Sequence, residues 1–459
     1  MRLRKRDLSR RVNGDLAIQF GDERLTSFAG LEILMRYLRQ LDLNGRLRDA
    51  FGSISLRGDY PWIAMIRLMV ALISIGGRRL RHTQYLMRDP IMQRFSGLQS
   101  IPTARTLSRW LRQFNSKSLE CFARFNMQLV LDRVRNLGLR TLTIDVDGSV
   151  VSTGLTVAWA FRGHNPHHRK VPSYYPILAH LAQTSQILQV KNRPGNIHDG
   201  KRSLTFLQTL IRDLRTELGP RVKLEFRLDA AFFLPEILHL LVNRNCKFAV
   251  KVPMWRALGI REKIKKRVRW SKVARGVSGF ETILEIPKWG IVLPIVCYRK
   301  KVYHRTRKNY QLDLFSPDDG TYEYSVVATN KDLNLKNLWY YMAGRGAQEK
   351  TYAELKTGFA FDTVPTRHYG ANSARQWLSV IAHNLYRDMQ LAIADSPSRR
   401  TRKRTTVFAL QSISTARFEW LNVAGRLLSL ATGRTVRLPA SHQIEDRYDS
   451  LLAALDKVA

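Results

Sequence analysis

Three cysteines, Cys121, Cys246 and Cys297, are all that this 459-residue chain contains, and no two of them form a CxxC pair. That scarcity argues against a thiolate zinc site and a disulfide scaffold, and it suits a reducing compartment. Long hydrophobic runs are missing too. The most apolar stretch, residues 63–75, is interrupted by Arg67 and falls short of the roughly 20 residues a membrane span needs. The basic residues of positions 1–11 are not followed by an apolar segment, so no secretory signal is expected. No GxxxxGK[ST] phosphate loop occurs, and ATP use is not implied. Acidic residues are scarce: 37 Asp and Glu face 76 Lys and Arg, a formal net charge of +39 and a pI near 10.7. The excess is spread along the chain, with clusters at 2–11, 261–269, 300–308 and 399–404. A polyanion is therefore the expected partner, nucleic acid ahead of a membrane surface. The expectation is a soluble, cytoplasmic protein.

What remains is ordinary globular material, 44% hydrophobic and 25% charged, long enough for roughly three domains. Residues 1–135 read as helices: Leu31, Leu34, Met35, Leu38 and Leu41 recur at helical spacing, as do Ile63, Ile66, Met69, Val70 and Ile73. Thr103 caps a helix that presents Leu107, Trp110, Leu111 and Phe114 on one face and Arg105, Arg109 and Arg112 together on another. Two readings stand for those arginines: the second helix of a DNA-reading helix-turn-helix, or a solvated basic face. From 136 to 253 the pattern alternates strands with helices, and Leu142, Ile144 and Val146 set the period of two. Residues 254–321 combine cationic stretches with β-like runs and read as a β-rich insertion. The core pattern resumes over 322–395, where residues 337–357 read as one long helix. A basic linker then leads into a C-terminal region, 396–459, read as helices near 406–431 and 446–458. The expected fold class is α/β (α+β), a mixed sheet flanked by helices.

The acidic residues that do occur are placed suggestively. Asp145 and Asp147 point the same way along one strand, opposite its apolar face, so neither is forced into the core, and Gly148 leaves the backbone open to a ligand. Asp229 ends a second strand, out of phase with Leu224, Phe226 and Leu228. Carboxylates at adjacent strand ends bridge a hard cation, and oxygen ligation suits Mg²⁺; for one such Asp alone, turn chemistry is the plainer reading. Arg345, Glu349, Tyr352 and Lys356 share one helical stripe. Glu349 is placed to complete a second metal site, and Arg345 and Lys356 to grip phosphate oxygens. His164, His167, His168 and Lys170 lie in a basic loop better suited to DNA than to metal. Trp255, Trp270 and Trp289 are candidates for stacking on an unpaired base, with core packing the alternative for each.

Together these segments resemble bacterial insertion-sequence transposases, whose DDE core is RNase H-like and carries the signature Tyr-x2-Arg-x3-Glu-x6-Lys. Arg345, Glu349 and Lys356 match; Tyr341 stands one residue early, with Met342 in the expected place. Asp147-Gly148-Ser149 resembles the first acidic motif, which favours Asp147 over Asp145, and Leu228-Asp229-Ala230 resembles the second. The resemblance covers about residues 139–390. It implies a catalytic triad of Asp147, Asp229 and Glu349 holding two Mg²⁺ ions, with Mn²⁺ as substitute, for cut-and-paste transposition. It further implies N-terminal helices that read terminal inverted repeats, target DNA as second substrate, and a homodimer on DNA, in a bacterial, nucleoid-associated protein. A nuclease or resolvase of the same fold and a non-catalytic DNA-binding relative are the alternatives.

Overall fold

The computed structural model describes residues 16–458 except 22, 53, 55, 164–169, 198–199, 201, 302–321, 395–409 and 431–432. A short strand β1 (Leu25–Thr26) precedes helices α1 (Leu31–Gln40), α2 (Leu43–Phe51), α3 (Trp62–Ser74), a 3-10 stretch (Leu80–Leu86), α4 (Pro90–Ser96), α5 (Ala104–Leu111) and α6 (Ser116–Asn136). Local chemistry starts several of them. Asp89 accepts from Ile91 and Met92 ahead of α4, Thr103 from Thr106 ahead of α5, and Asn115 and Ser118 form a reciprocal box at α6. Each satisfies amides that the first helical turn leaves open.

Strands then take over: β2 (Thr141–Gly148), β3 (Val151–Ser152), β4 (Ser173–Tyr174), β5 (Ile177–Leu181), β6 (Gln186–Lys191), helix α7 (Ser203–Leu218), β7 (Lys223–Leu228), α8 (Pro235–Asn243) and β8 (Lys247–Lys251). Next come α9 (Ile260–Lys266), β9 (Ser271–Ala274), β10 (Val277–Ile286), β11 (Ile291–Lys301) and β12 (Tyr322–Thr329). One nine-stranded sheet runs in the order β6-β5-β2-β7-β8-β12-β11-β10-β9. Within it β2 is parallel to β7 and β7 to β8, and the remaining neighbours are antiparallel. The apolar sides of β2 and β7 pack with α7 and α8 in one core. The opposite side of the sheet is covered by α10 (Leu335–Ala343) and α11 (Gly346–Thr357), as the contacts of Tyr341 with Glu225 of β7 and of Thr351 with His180 of β5 establish.

The longest helix, α12 (Tyr369–Ala392), is buried along nearly its whole length, and it joins the sheet to the N-terminal helices. Beside apolar contacts through Trp377, Leu378, Ile381 and Leu385, it makes buried polar ones. Asn384 donates 2.7 Å bonds to Asn126 of α6 and to the Ile187 carbonyl of β6, and accepts from the Ile187 amide. Asp388 pairs with Arg133 at 2.7 Å and takes the Tyr37 hydroxyl, while Arg387 pairs with Glu354. The chain finishes with α13 (Ile413–Ala416), a π-helical turn to Leu421, strands β13 (Gly425–Leu430) and β14 (Gly433–Arg437), and α14 (His442–Asp456).

The mixed α/β class holds, and two local readings change, the single helix over 337–357 and the helical reading of the C-terminal region. The N-terminal helices share one core with α12, Trp420, Leu427 and α14. The strands of 254–321 extend the central sheet through the β11–β12 pairing. Residues 337–357 do not form one helix, because the chain breaks at Gly344-Arg345 between α10 and α11. Within the region read as helical, β13 and β14 form a hairpin that also pairs with β1. Gly433 beside the β-branched Thr435 and Val436 favours that hairpin over helix. Among the described residues no helix is long and apolar enough to cross a membrane.

Candidate active site

Parallel pairing sets Val146 of β2 opposite Leu228 of β7, so the next residues, Asp147 and Asp229, stand side by side where both strands end. Their carboxylates converge on a single guanidinium. Arg345 Nη2 lies 2.7 Å from Asp147 Oδ2, and Nη1 lies 3.5 Å from Asp229 Oδ1. Lys251, at the end of β8, adds its ammonium 3.5 Å from the same Asp229 oxygen. The other oxygen of Asp147 accepts the Gly148 amide at 2.9 Å. Burial works to raise the pKa of Asp229, but Arg345 and Lys251 outweigh it and hold the carboxyl below the usual range. Burial in turn works against the Arg345 charge, and Asp147 and Asp229 overcome it, raising its pKa.

The break between α10 and α11 aims Arg345 at this spot. Its Nε donates to Gln348 at 3.2 Å, and glycines flank it on both sides. A methyl group at position 344 would lie 2.5 Å from Arg227 Nη1, so the glycine there allows the close approach.

Asp145 behaves differently from its neighbour. It is fully buried, with Arg227 Nε and Nη2 at 2.6 and 2.7 Å and His180 Nδ1 at 3.2 Å. His180 Nε2 meets Thr351 Oγ1 of α11 at 3.2 Å. Burial pushes its pKa up, yet His180 and Arg227 prevail and lower it. The expectation that this carboxylate escapes the core therefore fails. The polar side of β2 at Asp145 faces a second layer rather than water, and both carboxylate oxygens are engaged by Arg227 and His180. Arg227 also donates to the Tyr341 carbonyl at 2.9 Å and stacks over its ring at 5.3 Å. Alternation marks Arg227 as off the apolar face, but only strand register pairs it and His180 with Asp145.

The proposed stripe on α11 does not present one surface. Arg345 is largely enclosed and Tyr352 is buried, its hydroxyl donating to Leu178 at 3.0 Å. Lys356 is half-buried and donates to the Val150 carbonyl at 2.9 Å. Glu349 lies on the exposed side of the helix. Tyr341 hydrogen-bonds Glu225 at 3.3 Å within the polar layer, with the Lys331 ammonium 4.4 Å from its ring centre.

The donor chemistry accordingly fits one hard divalent cation. Two carboxylates already point at a shared positive group, and Mg²⁺ is commonly held by one or two carboxylates with waters and substrate phosphate. A three-carboxylate arrangement is not gathered. Among the described residues no group of three or more His, Cys, Asp or Glu is placed to hold a metal.

Elsewhere, Arg105, Arg109 and Arg112 are all exposed on α5, whose Leu107, Trp110 and Leu111 are buried. Lys170 is exposed; His164, with His167 and His168, lies outside the described residues. Trp270 and Trp289 are packed rather than open. Trp270 meets Phe280 at 4.8 Å under the Arg299 guanidinium, and Trp289 meets Phe233 at 5.4 Å. For both, core packing is the reading the geometry favours.

The family model described as "Transposase DDE domain group 1" matches residues 9–459, and the chain belongs to that family, the DDE transposases. No curated protein is similar enough in sequence to match it. Among known structures it is similar to a cryo-EM structure of piggyBac transposase in a synaptic complex with hairpin DNA. That likeness spans 94% of this chain and 85% of the other at 10% identity, with a TM-score of 0.42, too distant to bear on function.

Proposed function

We propose that this transposase cleaves and joins DNA ends in cut-and-paste transposition, with Asp147 and Asp229 as the centre of a metal-dependent active site. The convergence of both carboxylates on one cationic group carries the reading, within a family defined by acidic catalytic residues. Mg²⁺ fits the donors, with Mn²⁺ as substitute. When bound, the ion polarises the phosphate and makes the attacking water or 3′ hydroxyl a better nucleophile.

The chain supplies the rest. Lys251 and Arg345 counter negative charge as the phosphate approaches, and Arg345 is suited to exchange carboxylate oxygens for phosphate oxygens, since both accept its forked donors. Glu349 lies one helical turn beyond Arg345. As the third acidic residue it has to be carried inward by movement at the glycine-flanked break. The β6-β5-β2-β7-β8 portion of the sheet, antiparallel on one side and parallel on the other, supports an RNase H-like core. The net charge of +39 suits double-stranded DNA. Exposed Arg105, Arg109 and Arg112 are suited to reading terminal inverted repeats, and joining two ends calls for a dimer on DNA. The match at Arg345, Glu349 and Lys356 supports a Tyr-Arg-Glu-Lys-type insertion-sequence enzyme of bacterial origin.

The test is incubation of purified protein with Mg²⁺ and DNA carrying the repeats that flank its gene, followed by product analysis. Nicked and joined products are expected, and Asp147→Asn and Asp229→Asn are expected to abolish both while retaining DNA binding. Nicking without joining would make the chain a nuclease of this fold. Binding without either product would make it a non-catalytic relative.

A further inference from the structure

Between β3 and β4 the chain makes a loop that puts large aromatic side chains into water. Trp159 is 61% exposed and Phe161 45% exposed, and their rings meet edge to face at 6.5 Å. Single exposed apolar residues are common and mean little; an exposed pair on a constrained backbone is a different matter. Trp159 has φ +61°, the left-handed region that residues with large side chains rarely occupy.

The surrounding bonds hold that conformation. Tyr174 Oη donates to the Ala158 carbonyl at 2.7 Å, and the Ala158 amide donates to the Arg367 carbonyl at 2.9 Å. Phe161 and Ser173 exchange backbone bonds at 3.3 and 3.0 Å. At the loop's far end, Gly163 runs so close to Gly195 that a methyl group there would lie 2.0 Å from the Gly195 oxygen. The near end is tied to α11 by Lys356, through the Val150 carbonyl. The rings are thus presented by a fixed frame rather than by a loose tip.

The same stretch of chain carries exposed cations. Arg162 follows Phe161 directly, the Arg367 backbone is bonded beside Trp159, and Lys170 is exposed on the same connection. An apolar partner protein would not call for that charge. Aromatic faces beside Arg and Lys are the combination that receives unpaired nucleic acid: rings stack on bases and cations hold the backbone.

We propose that Trp159 and Phe161 form a stacking platform for unpaired DNA bases. This rests on the reading that the chain handles DNA, and it adds a binding site for single-stranded or unpaired segments.

Fluorescence anisotropy without divalent metal tests it, using a labelled 20-nucleotide single strand and the blunt duplex of the same sequence. Trp159→Ala is expected to weaken single-strand binding by about 5- to 150-fold and to change duplex binding less than about twofold. Trp159→Phe is expected to keep most of the single-strand affinity and Trp159→Leu to lose it, which separates stacking from bulk. No loss with Trp159→Ala, an equal loss on both DNAs, or full rescue by leucine would overturn the platform while leaving the transposase reading intact. Failure of the unaltered protein to bind either DNA would overturn both.

Discussion

Replacing Arg227 by methionine keeps a side chain of similar length but removes both donors that hold Asp145. In the native protein Arg227 and Asp145 are essentially inaccessible, and their two bonds are 2.6 and 2.7 Å long. Removing one member of such a pair strands a buried charge, which typically costs about 3–5 kcal/mol. The pH dependence then changes sign. Native Asp145 has a pKa below its ordinary value. The stability it contributes is therefore present above the unfolded carboxylate pKa of about 3.9 and is lost as pH falls through the lower folded value. In Arg227→Met burial is no longer opposed by the guanidinium, so the carboxyl pKa rises. The variant should gain stability as pH drops, because the buried acid neutralises. Urea unfolding at several pH values reads this directly. The variant's midpoint should fall well below that of the unaltered protein at pH 8, with the gap narrowing toward pH 5. Asp145→Leu combined with Arg227→Met should recover much of the loss, since an apolar pair leaves no charge unmatched. Equal midpoints at pH 8, or a gap that widens on acidification, would refute the reasoning.

Three further outcomes follow from other parts of the molecule. Arg375 is fully buried with Ser379 as its one hydrogen-bond partner among the described residues, and burial pushes its pKa down to about 10. Arg375→Met should therefore be neutral or stabilising, by up to about 1–4 kcal/mol, read as an unchanged or raised melting temperature; a large drop would point to an unseen role for its charge. Gly344→Ala should displace Arg227 from its seat under the α10–α11 break and lower DNA cleavage more than DNA binding, measured side by side; equal losses would argue against the break as a positioning device. Raising salt from about 50 to about 200 mM should cut DNA affinity about a thousandfold or more if 6–10 phosphates are contacted, and a flat response would remove the polyanion from the account.

The strands carrying Asp147 and Asp229 were legible because each alternates cleanly and ends at its acid, so period-two reading located both residues. Alternation separates two faces of a strand but does not say what covers the second one. That is why Asp145 reads as open and is instead enclosed beneath α10 and α11, in the manner of strands buried on both sides. Register is equally invisible along one strand, so Arg227 and His180 emerge as partners of Asp145 only in three dimensions. The Arg345 break had a local sign, glycines at 344 and 346, which the helical spacing of Arg345, Glu349 and Lys356 overrode. The N-terminal helices were recognisable one by one from caps and apolar stripes. Their shared core with α12 was not, because apolar stripes do not say which helix they meet, and the polar ties of Asn384 and Asp388 appear only in three dimensions.

The central claim is that Asp147 and Asp229 act together on one divalent cation, and Mn²⁺ binding followed by electron paramagnetic resonance measures it without DNA or turnover. The unaltered protein should bind Mn²⁺ in competition with Mg²⁺, and Asp147→Asn and Asp229→Asn should each lose that binding while remaining folded. Binding that survives both substitutions would contradict the account.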